Sequence, residues 1–309
     1  MRQYGLDPKQ SLGQNWLVDE SHLARIAAAA DLSPADTVLE IGPGLGSLTR
    51  HLAAQAGRVI AVELDNRLIP ILRHRFADQP HVEIVHGDIL EIDPGAVVRP
   101  GDTETGRQGD GETRRQGDKE RVGDTQSPNL PISQSPLPTP HSPPPYKVVA
   151  NLPYYITSAV LRHLLEAAHP PRVAVLLVQK EVAQRLCAEP GEMSILAVSV
   201  QFYAQPKIVQ RIPAGAFHPR PKVDSAVVRL DIHPQPLVPD VDPAWFFTVV
   251  RAGFSQKRKQ LLNSLSAGMG TPKDAIEAAL HTAGIDPKRR AQTLSLDEWG
   301  VLCRSLISE

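Results

Sequence analysis

From about Asp36 to Asp93, short apolar runs alternate with longer amphipathic stretches, the pattern of parallel strands joined by helices. Thr37-Val38-Leu39-Glu40-Ile41 predicts a first strand that runs into Gly42-Pro43-Gly44-Leu45-Gly46. Leu48, His51, Leu52 and Gln55 then keep helical spacing until Gly57 stops the helix. Val59-Ile60-Ala61-Val62-Glu63 predicts a second strand. Asp65 is placed to cap a helix whose apolar stripe is Leu68, Ile69, Leu72 and Phe76, and Val82-Glu83-Ile84-Val85 follows as a third strand.

Between about Gly95 and Pro145 the order breaks. Arg107-Gln108-Gly109-Asp110 recurs as Arg115-Gln116-Gly117-Asp118, and prolines accumulate up to Pro143-Pro144-Pro145. Such a composition cannot bury a core, so 95–145 is expected to be a disordered insertion within one domain. Strand character resumes at Lys147-Val148-Val149-Ala150, returns at Val173 to Val178, and ends with Val227-Val228-Arg229-Leu230. The proline-rich stretch Pro234 to Asp242 predicts a linker. Beyond it Trp245 to Ala252, Lys259 to Leu265, Lys273 to Ala283 and Leu296 to Ile307 predict helices. The expected organisation is therefore an α/β domain over 1–233 and a smaller all-α domain over 234–309.

Composition adds mainly exclusions. The chain has 309 residues, 41% of them hydrophobic, enough for two folded units. With 33 basic against 34 acidic residues the formal charge is -1, so any contact with nucleic acid must come from local clusters. Cys187 and Cys303 lack metal-ligand spacing and read as unpaired thiols in a reducing compartment, and no metal is expected. The start lacks an apolar signal core and no stretch has membrane-spanning length, which predicts a cytoplasmic protein.

A glycine-rich turn after a first strand lets the backbone approach a ligand closely, and an acidic residue ending the second strand can accept both hydroxyls of a ribose. Gly42, Gly44, Gly46 and Glu63 fit that description. NAD and S-adenosylmethionine both suit it. The spacing is G-x-G-x-G, so the glycine that supports close helix packing in the dinucleotide fingerprint is expected to be missing. Gly87-Asp88 ends the third strand, where the Asp88 carboxylate can accept from an adenine amine.

Asn151-Leu152-Pro153-Tyr154 follows the next strand and so belongs beside the reactive end of the cofactor. An adenine amine is a poor nucleophile because its lone pair is delocalised into the ring. Accepting its two N–H groups at the Asn151 side-chain oxygen and the Leu152 carbonyl favours a pyramidal nitrogen. Pro153 stiffens the loop and Tyr154 offers a stacking face.

In this order the motifs resemble the small-subunit rRNA adenine dimethyltransferases. Leu12-Gly13-Gln14-Asn15-Trp16-Leu17 is similar to the family's opening motif, with Trp16 where phenylalanine is more usual. Phe217-His218-Pro219-Arg220-Pro221-Lys222-Val223-Asp224-Ser225 resembles its most specific downstream motif. Phe254-Ser255-Gln256-Lys257-Arg258-Lys259 resembles its basic C-terminal segment. The resemblance implies a Rossmann-like class I S-adenosylmethionine methyltransferase domain. It also implies cofactor contacts from Asn15, Leu17 and Asn151, and stacking of the adenine between Tyr154 and Phe217. The implied reaction places two methyl groups on each of two adjacent adenosines in a hairpin near the 3' end of small-subunit (16S) rRNA. Rest of the expectation: a monomer that acts on the small subunit or its precursor.

Lys257, Arg258 and Lys259 are candidates to neutralise RNA phosphates, as are Arg220, Lys222, Arg211 and the Lys288-Arg289-Arg290 run. Three other functions compete. A large-subunit rRNA adenine methyltransferase of the macrolide-resistance type shares the adenine site, but the Phe217 to Ser225 motif and the longer C-terminal region argue against it. A non-catalytic ribosome-assembly factor would have lost Asn151, Tyr154 or Glu63, all of which are present. An NAD-dependent oxidoreductase would bind nicotinamide.

Overall fold

A computed structural model describes residues 15–99 and 144–307. In chain order the strands are β1 (Trp16–Leu17), β2 (Thr37–Ile41), β3 (Arg58–Glu63), β4 (Val82–His86), β5 (Tyr146–Asn151), β6 (Val173–Gln179), β7 (Ala204–Ile212), β8 (Phe217–His218) and β9 (Ser225–Ile232). The helices are α1 (Glu20–Ala29), α2 (Thr49–Ala53), α3 (Ile69–Arg75), α4 (Pro94–Val97), α5 (Thr157–Leu165), α6 (Lys180–Leu186), α7 (Ile195–Tyr203), α8 (Pro243–Phe254), α9 (Leu261–Met269), α10 (Lys273–Thr282) and α11 (Leu296–Ser305).

Seven strands form one sheet in the order β4-β3-β2-β5-β6-β9-β7. Pairings from β4 through to β6 are parallel, and β9 runs antiparallel to both β6 and β7. The central strands are buried on both faces, which is why β6 reads as an unbroken apolar run. One core cluster packs Leu39, Ile60, Val148 and Leu176 with Leu161 and Leu164 of α5; the other packs Val38, Val59, Val149 and Val175 with Leu23 and Ile26 of α1. Alternate residues of each strand thus serve opposite faces. The expected α/β class is the one observed, with helices on both sides of a mostly parallel sheet.

Most of the expected insertion, 100–143, lies outside the described residues. Its leading edge is ordered further than composition predicts. Asp93 caps α4 by accepting the Gly95 N–H at 2.9 Å, Val98 is fully buried, and Arg58 donates to the Val98 carbonyl at 2.6 Å. The stretch 234–242 also departs from expectation. Val238 and Val241 are buried among the C-terminal helices, and the Leu237 N–H donates to the Phe202 carbonyl at 3.0 Å, so this is a pinned crossing and not a free linker.

The C-terminal helices share their core with α7. Phe202, Ala197 and Val198 of that helix pack with Phe246, Leu265, Ile276 and Trp299, while Val200 on its other side joins the sheet core. An apolar surface all round suits a helix placed between two layers. Helix ends follow local chemistry: Ser295 and Glu298 form a reciprocal capping box for α11, and Gly270 closes α9 in the left-handed region at φ 69°. No helix among the described residues is long and apolar enough to cross a membrane.

Candidate active site

The strand order reverses between β2 and β5, since the chain leaves β2 for β3 and β4 on one side and then crosses to β5 on the other. Ligands of open α/β sheets bind beyond the carboxyl ends of strands at such a switch point. A cleft lies there, with walls from the ends of β2, β3, β4 and β5 and from the β1–β8 pair. It gathers Asn15, Gly42, Gly44, Glu63, Asp88, Asn151, Leu152, Pro153, Tyr154 and Phe217, residues separated by up to two hundred positions in the chain.

The glycine turn is built for close approach. Gly42 and Gly44 sit at φ 69° and 60°, a region that costs other residues strain. The Gly44 N–H donates to Glu63 Oε2 at 3.0 Å and the Asp65 N–H to Glu63 Oε1 at 2.8 Å. Glu63 is only 5% exposed. Burial pushes its carboxyl above the usual range, while the N–H bonds from Asp65 and Gly44 oppose that rise. Both oxygens are oriented by these bonds, and each keeps a lone pair for a ligand hydroxyl.

Gly46 corrects one sequence inference. A Cβ there would lie 2.7 Å from the Phe76 ring and 3.2 Å from Leu72, so this third glycine does allow close helix packing, against α3. The one-residue shift in spacing changes which helix is approached.

Asp88 accepts the Leu90 N–H at 2.9 Å through Oδ1. Asn151 ends β5, and its Nδ2 donates to the Asn15 carbonyl at 3.4 Å. A carbonyl can only accept, so this contact fixes the amide orientation and leaves Oδ1 as the free acceptor. Leu152 is 2% exposed, its side chain in the sheet core, so only its main chain can face a ligand. Pro153 at φ -55° leads into a single 3-10 turn, Tyr154–Ile156.

Phe217 reaches the cleft through pairing between distant parts of the chain: Trp16 lies opposite His218 and Leu17 opposite Phe217. Side-chain alternation along β1 separates two neighbours, leaving Leu17 only its main chain to offer a ligand. Leu17 is buried among Leu23, Ile26 and Phe217 and does not line the main cleft, whereas Trp16 does. The Trp16 Nε1 has no hydrogen-bond partner, and the ring lies 3.3 Å from where a Gly44 Cβ would sit.

Sequence reasoning also missed the apolar walls Leu64, Ile89 and Tyr155. A readable signal existed for two of them. The two acidic residues of the cleft, Glu63 at the end of β3 and Asp88 just after β4, are each followed at once by an aliphatic one, Leu64 and Ile89, which places a hydrogen-bond acceptor beside a face for a flat ring. Tyr155, 63% exposed at the rim, carries no such signal.

The basic candidates lie apart from the cleft lining. Arg220 and Lys222 are exposed between β8 and β9, and Lys257, Arg258 and Lys259 are exposed in the turn from α8 to α9, not in the helix expected from 259. Arg211 projects from edge strand β7. Arg289 is corrected: it pairs bidentately with Glu298 and also donates to Thr293, so it is committed to the fold.

The family model described as "Ribosomal RNA adenine dimethylase" matches residues 5–307. Among similar proteins, "Ribosomal RNA small subunit methyltransferase A" of Dehalococcoides mccartyi strain 195 is 43% identical over 98% of this chain and 90% of its own length. The protein of the same name from Moorella thermoacetica is 43% identical over 99% of this chain and 95% of its own length. Among solved structures, the 23S rRNA methyltransferase ErmE is 28% identical with a TM-score of 0.65, covering 95% of this chain and 100% of that one. A dimethyladenosine transferase from Plasmodium falciparum, 23% identical with a TM-score of 0.66 over 93% of this chain and 95% of its own, shares the fold.

Proposed function

We propose this chain's activity from one premise: it belongs to the ribosomal RNA adenine dimethylase family. It is an S-adenosylmethionine-dependent methyltransferase that dimethylates the N6 amines of two adjacent adenosines near the 3' end of small-subunit (16S) rRNA. It acts in the cytoplasm as a monomer, during ribosome biogenesis. The observation that carries the reading is the convergence of Glu63, Asp88, Asn151, Tyr154 and Phe217 in one cleft at the switch point.

The cleft fits the cofactor. Glu63 is held to accept the ribose hydroxyls, Asp88 to accept the adenine amine, and Leu64 and Ile89 to flank the adenine ring, while Gly42 and Gly44 leave room for the amino-acid end. Bound there, S-adenosylmethionine supplies a methyl group on a sulfonium, open to in-line displacement. The protein's part is positioning and electrostatic preorganisation. Asn151 Oδ1 and the Leu152 carbonyl accept the two N–H groups of the target amine, holding its lone pair toward the methyl. Tyr154 and Phe217 stack on the base, an interaction worth roughly 1 to 3 kcal/mol per base, which offsets the cost of drawing it from its helix. The methylated amine is strongly acidic and loses its proton to water without a dedicated base.

Residues 1–233 form the catalytic domain in this reading, and 234–309 a helical RNA-binding domain. Lys257, Arg258 and Lys259, with Arg220 and Lys222, would meet phosphates, and Lys288 and Arg290 add charge without Arg289.

Reaction with under-methylated small subunits, followed by mass-spectrometric mapping of methylated adenines, tests the proposal. Methyl groups should appear on two adjacent adenines of the small-subunit RNA. Incorporation only into naked large-subunit rRNA would favour the macrolide-resistance type and overturn the assignment.

Two variants test the cofactor assignment. Glu63→Ala removes charged acceptors, and losing even one such bond costs roughly 1.5 to 3 kcal/mol, so the dissociation constant for S-adenosylhomocysteine should rise at least roughly 10- to 100-fold by calorimetry. Equal affinity would remove Glu63 from the ribose site. Of the three tryptophans, only Trp16 lines the cleft, Trp245 and Trp299 packing with the C-terminal helices. Titrating S-adenosylhomocysteine should therefore change the emission of wild type and not of Trp16→Phe. A change that persists in the variant would place the ligand elsewhere.

A further inference from the structure

Tyr154 and Phe217 lie on elements far apart in the chain, yet a base clamped between them needs both rings held to within about 0.5 Å. Both walls are tethered to one dipeptide. Ser225, fully buried at the start of β9, is registered against Gln179 of β6 and Ile212 of β7, so its backbone is fixed from two sides. Its hydroxyl lies 2.7 Å from the Tyr154 hydroxyl. The preceding residue works on the other wall. Asp224 Oδ1 accepts the Ala214 N–H at 3.0 Å, and the Asp224 carbonyl accepts the Lys180 N–H at 3.0 Å. Ala214 opens the 3-10 turn Ala214–Ala216 that delivers Phe217, and the Ala216 carbonyl accepts the Val18 N–H at 3.1 Å beside the β1–β8 pair.

We propose that Asp224 and Ser225 are positioning residues that set the gap between the two aromatic walls, Ser225 through the Tyr154 hydroxyl and Asp224 through the turn before Phe217. The proposal rests on the adenine-clamp reading of the cleft. Tyr154 contributes its ring to the base and its hydroxyl to the brace. Burial raises the phenol above its ordinary value, so the hydroxyl stays neutral, and either of the two hydroxyls can donate in this bond. Without the tether the ring regains rotational freedom on a short turn, and the base gains the same freedom relative to the methyl group.

A double-mutant cycle on the full chain separates this from plain fold stabilisation. Single-turnover methyl transfer at saturating small-subunit RNA, S-adenosylhomocysteine affinity and thermal midpoint are measured for wild type, Ser225→Ala, Tyr154→Phe and the double variant. Each single change should slow transfer about tenfold, equivalent to about 1.4 kcal/mol. The double variant should be no slower than the worse single one, because both remove the same bond. Cofactor affinity should not move. Asp224→Ala acts on the opposite wall, so its loss should multiply with that of Tyr154→Phe. Full activity in Ser225→Ala, or losses that multiply in the Ser225/Tyr154 double variant, would overturn the brace at Tyr154, and a fully active Asp224→Ala would overturn it at Phe217. Should Ser225→Ala fail to fold, Tyr154→Phe at full rate still overturns the Tyr154 tether. A wild-type protein that transfers no methyl refutes the functional reading itself, a result distinct from any of these.

Discussion

Asn151→Ala is expected to lower methyl transfer roughly 10²- to 10³-fold, the scale seen when one preorganised hydrogen-bonding group is removed from a site of developing charge. Two roles meet at this side chain. Its Nδ2 donates to the Asn15 carbonyl, and that bond leaves Oδ1 as the acceptor for the target amine in the proposed site. Alanine removes the acceptor and leaves the Leu152 carbonyl to hold the amine by one N–H, so the lone pair is no longer directed. Cofactor affinity should change far less than rate, since Glu63, Asp88 and the glycine turn remain. Asn151→Asp separates the roles: it keeps an oxygen for the amine but sets a carboxylate against the Asn15 carbonyl, so it should retain more activity than alanine and bind cofactor less well. Single-turnover rates and calorimetric affinities on the three proteins decide the matter. Loss of cofactor binding in proportion to loss of rate would make Asn151 a cofactor ligand and not a holder of the target amine.

That Asn151 was legible in the sequence at all follows from chemistry that is local in the chain. Strand, turn and polar residue lie within a few positions, so Glu63, Asp88 and Asn151 were found from the ends of predicted strands, and all three line the cleft. Where the structure depends on distant pairing, the reading fails. The two-residue strands β1 and β8 lie about two hundred positions apart and have no periodicity to detect, so their alternation, which brings the Trp16 side chain to the cleft, is invisible in the sequence. Strand β7 escaped because it is an edge: Gln205, Lys207, Val209 and Arg211 face outward, and the pattern reads as polar. Prolines at 234–242 signalled a linker correctly as to backbone, but Val238 and Val241 anchor it to a core that forms only when α7 and the C-terminal helices meet. Arg289 looked like its basic neighbours until Glu298, nine positions on, claimed its guanidinium. Local chemistry can be read from the chain; side-chain commitments made across it cannot.

The stability of the protein should fall as pH rises from about 4.5 to about 8, and one residue outside the proposed chemistry should account for much of that slope. Glu40 lies mid-strand in β2, 1% exposed, paired in the ladder with Ala61 and Val149. Burial pushes its carboxyl from the usual 4.5 up to about 8, and the Glu63 carboxylate nearby adds to the rise. The Thr49 hydroxyl beside it opposes the rise more than Glu63 adds to it, but burial outweighs both. A raised folded value means that the folded chain keeps a proton that the unfolded chain has already lost. The stabilisation is therefore complete below 4.5, declines between the two values, and is gone above 8, with a ceiling of about 5 kcal/mol. Glu40→Gln has the same shape and no charge, so it should match wild type near pH 5 and exceed it by several kcal/mol near pH 9, as other ionisable groups are common to both proteins. Urea unfolding of the two proteins at pH 5, 7 and 9 measures the difference directly. Parallel pH profiles would show that Glu40 ionises in the folded state as readily as in the unfolded one, and that the buried carboxyl beneath the glycine turn has a partner that stabilises its charge.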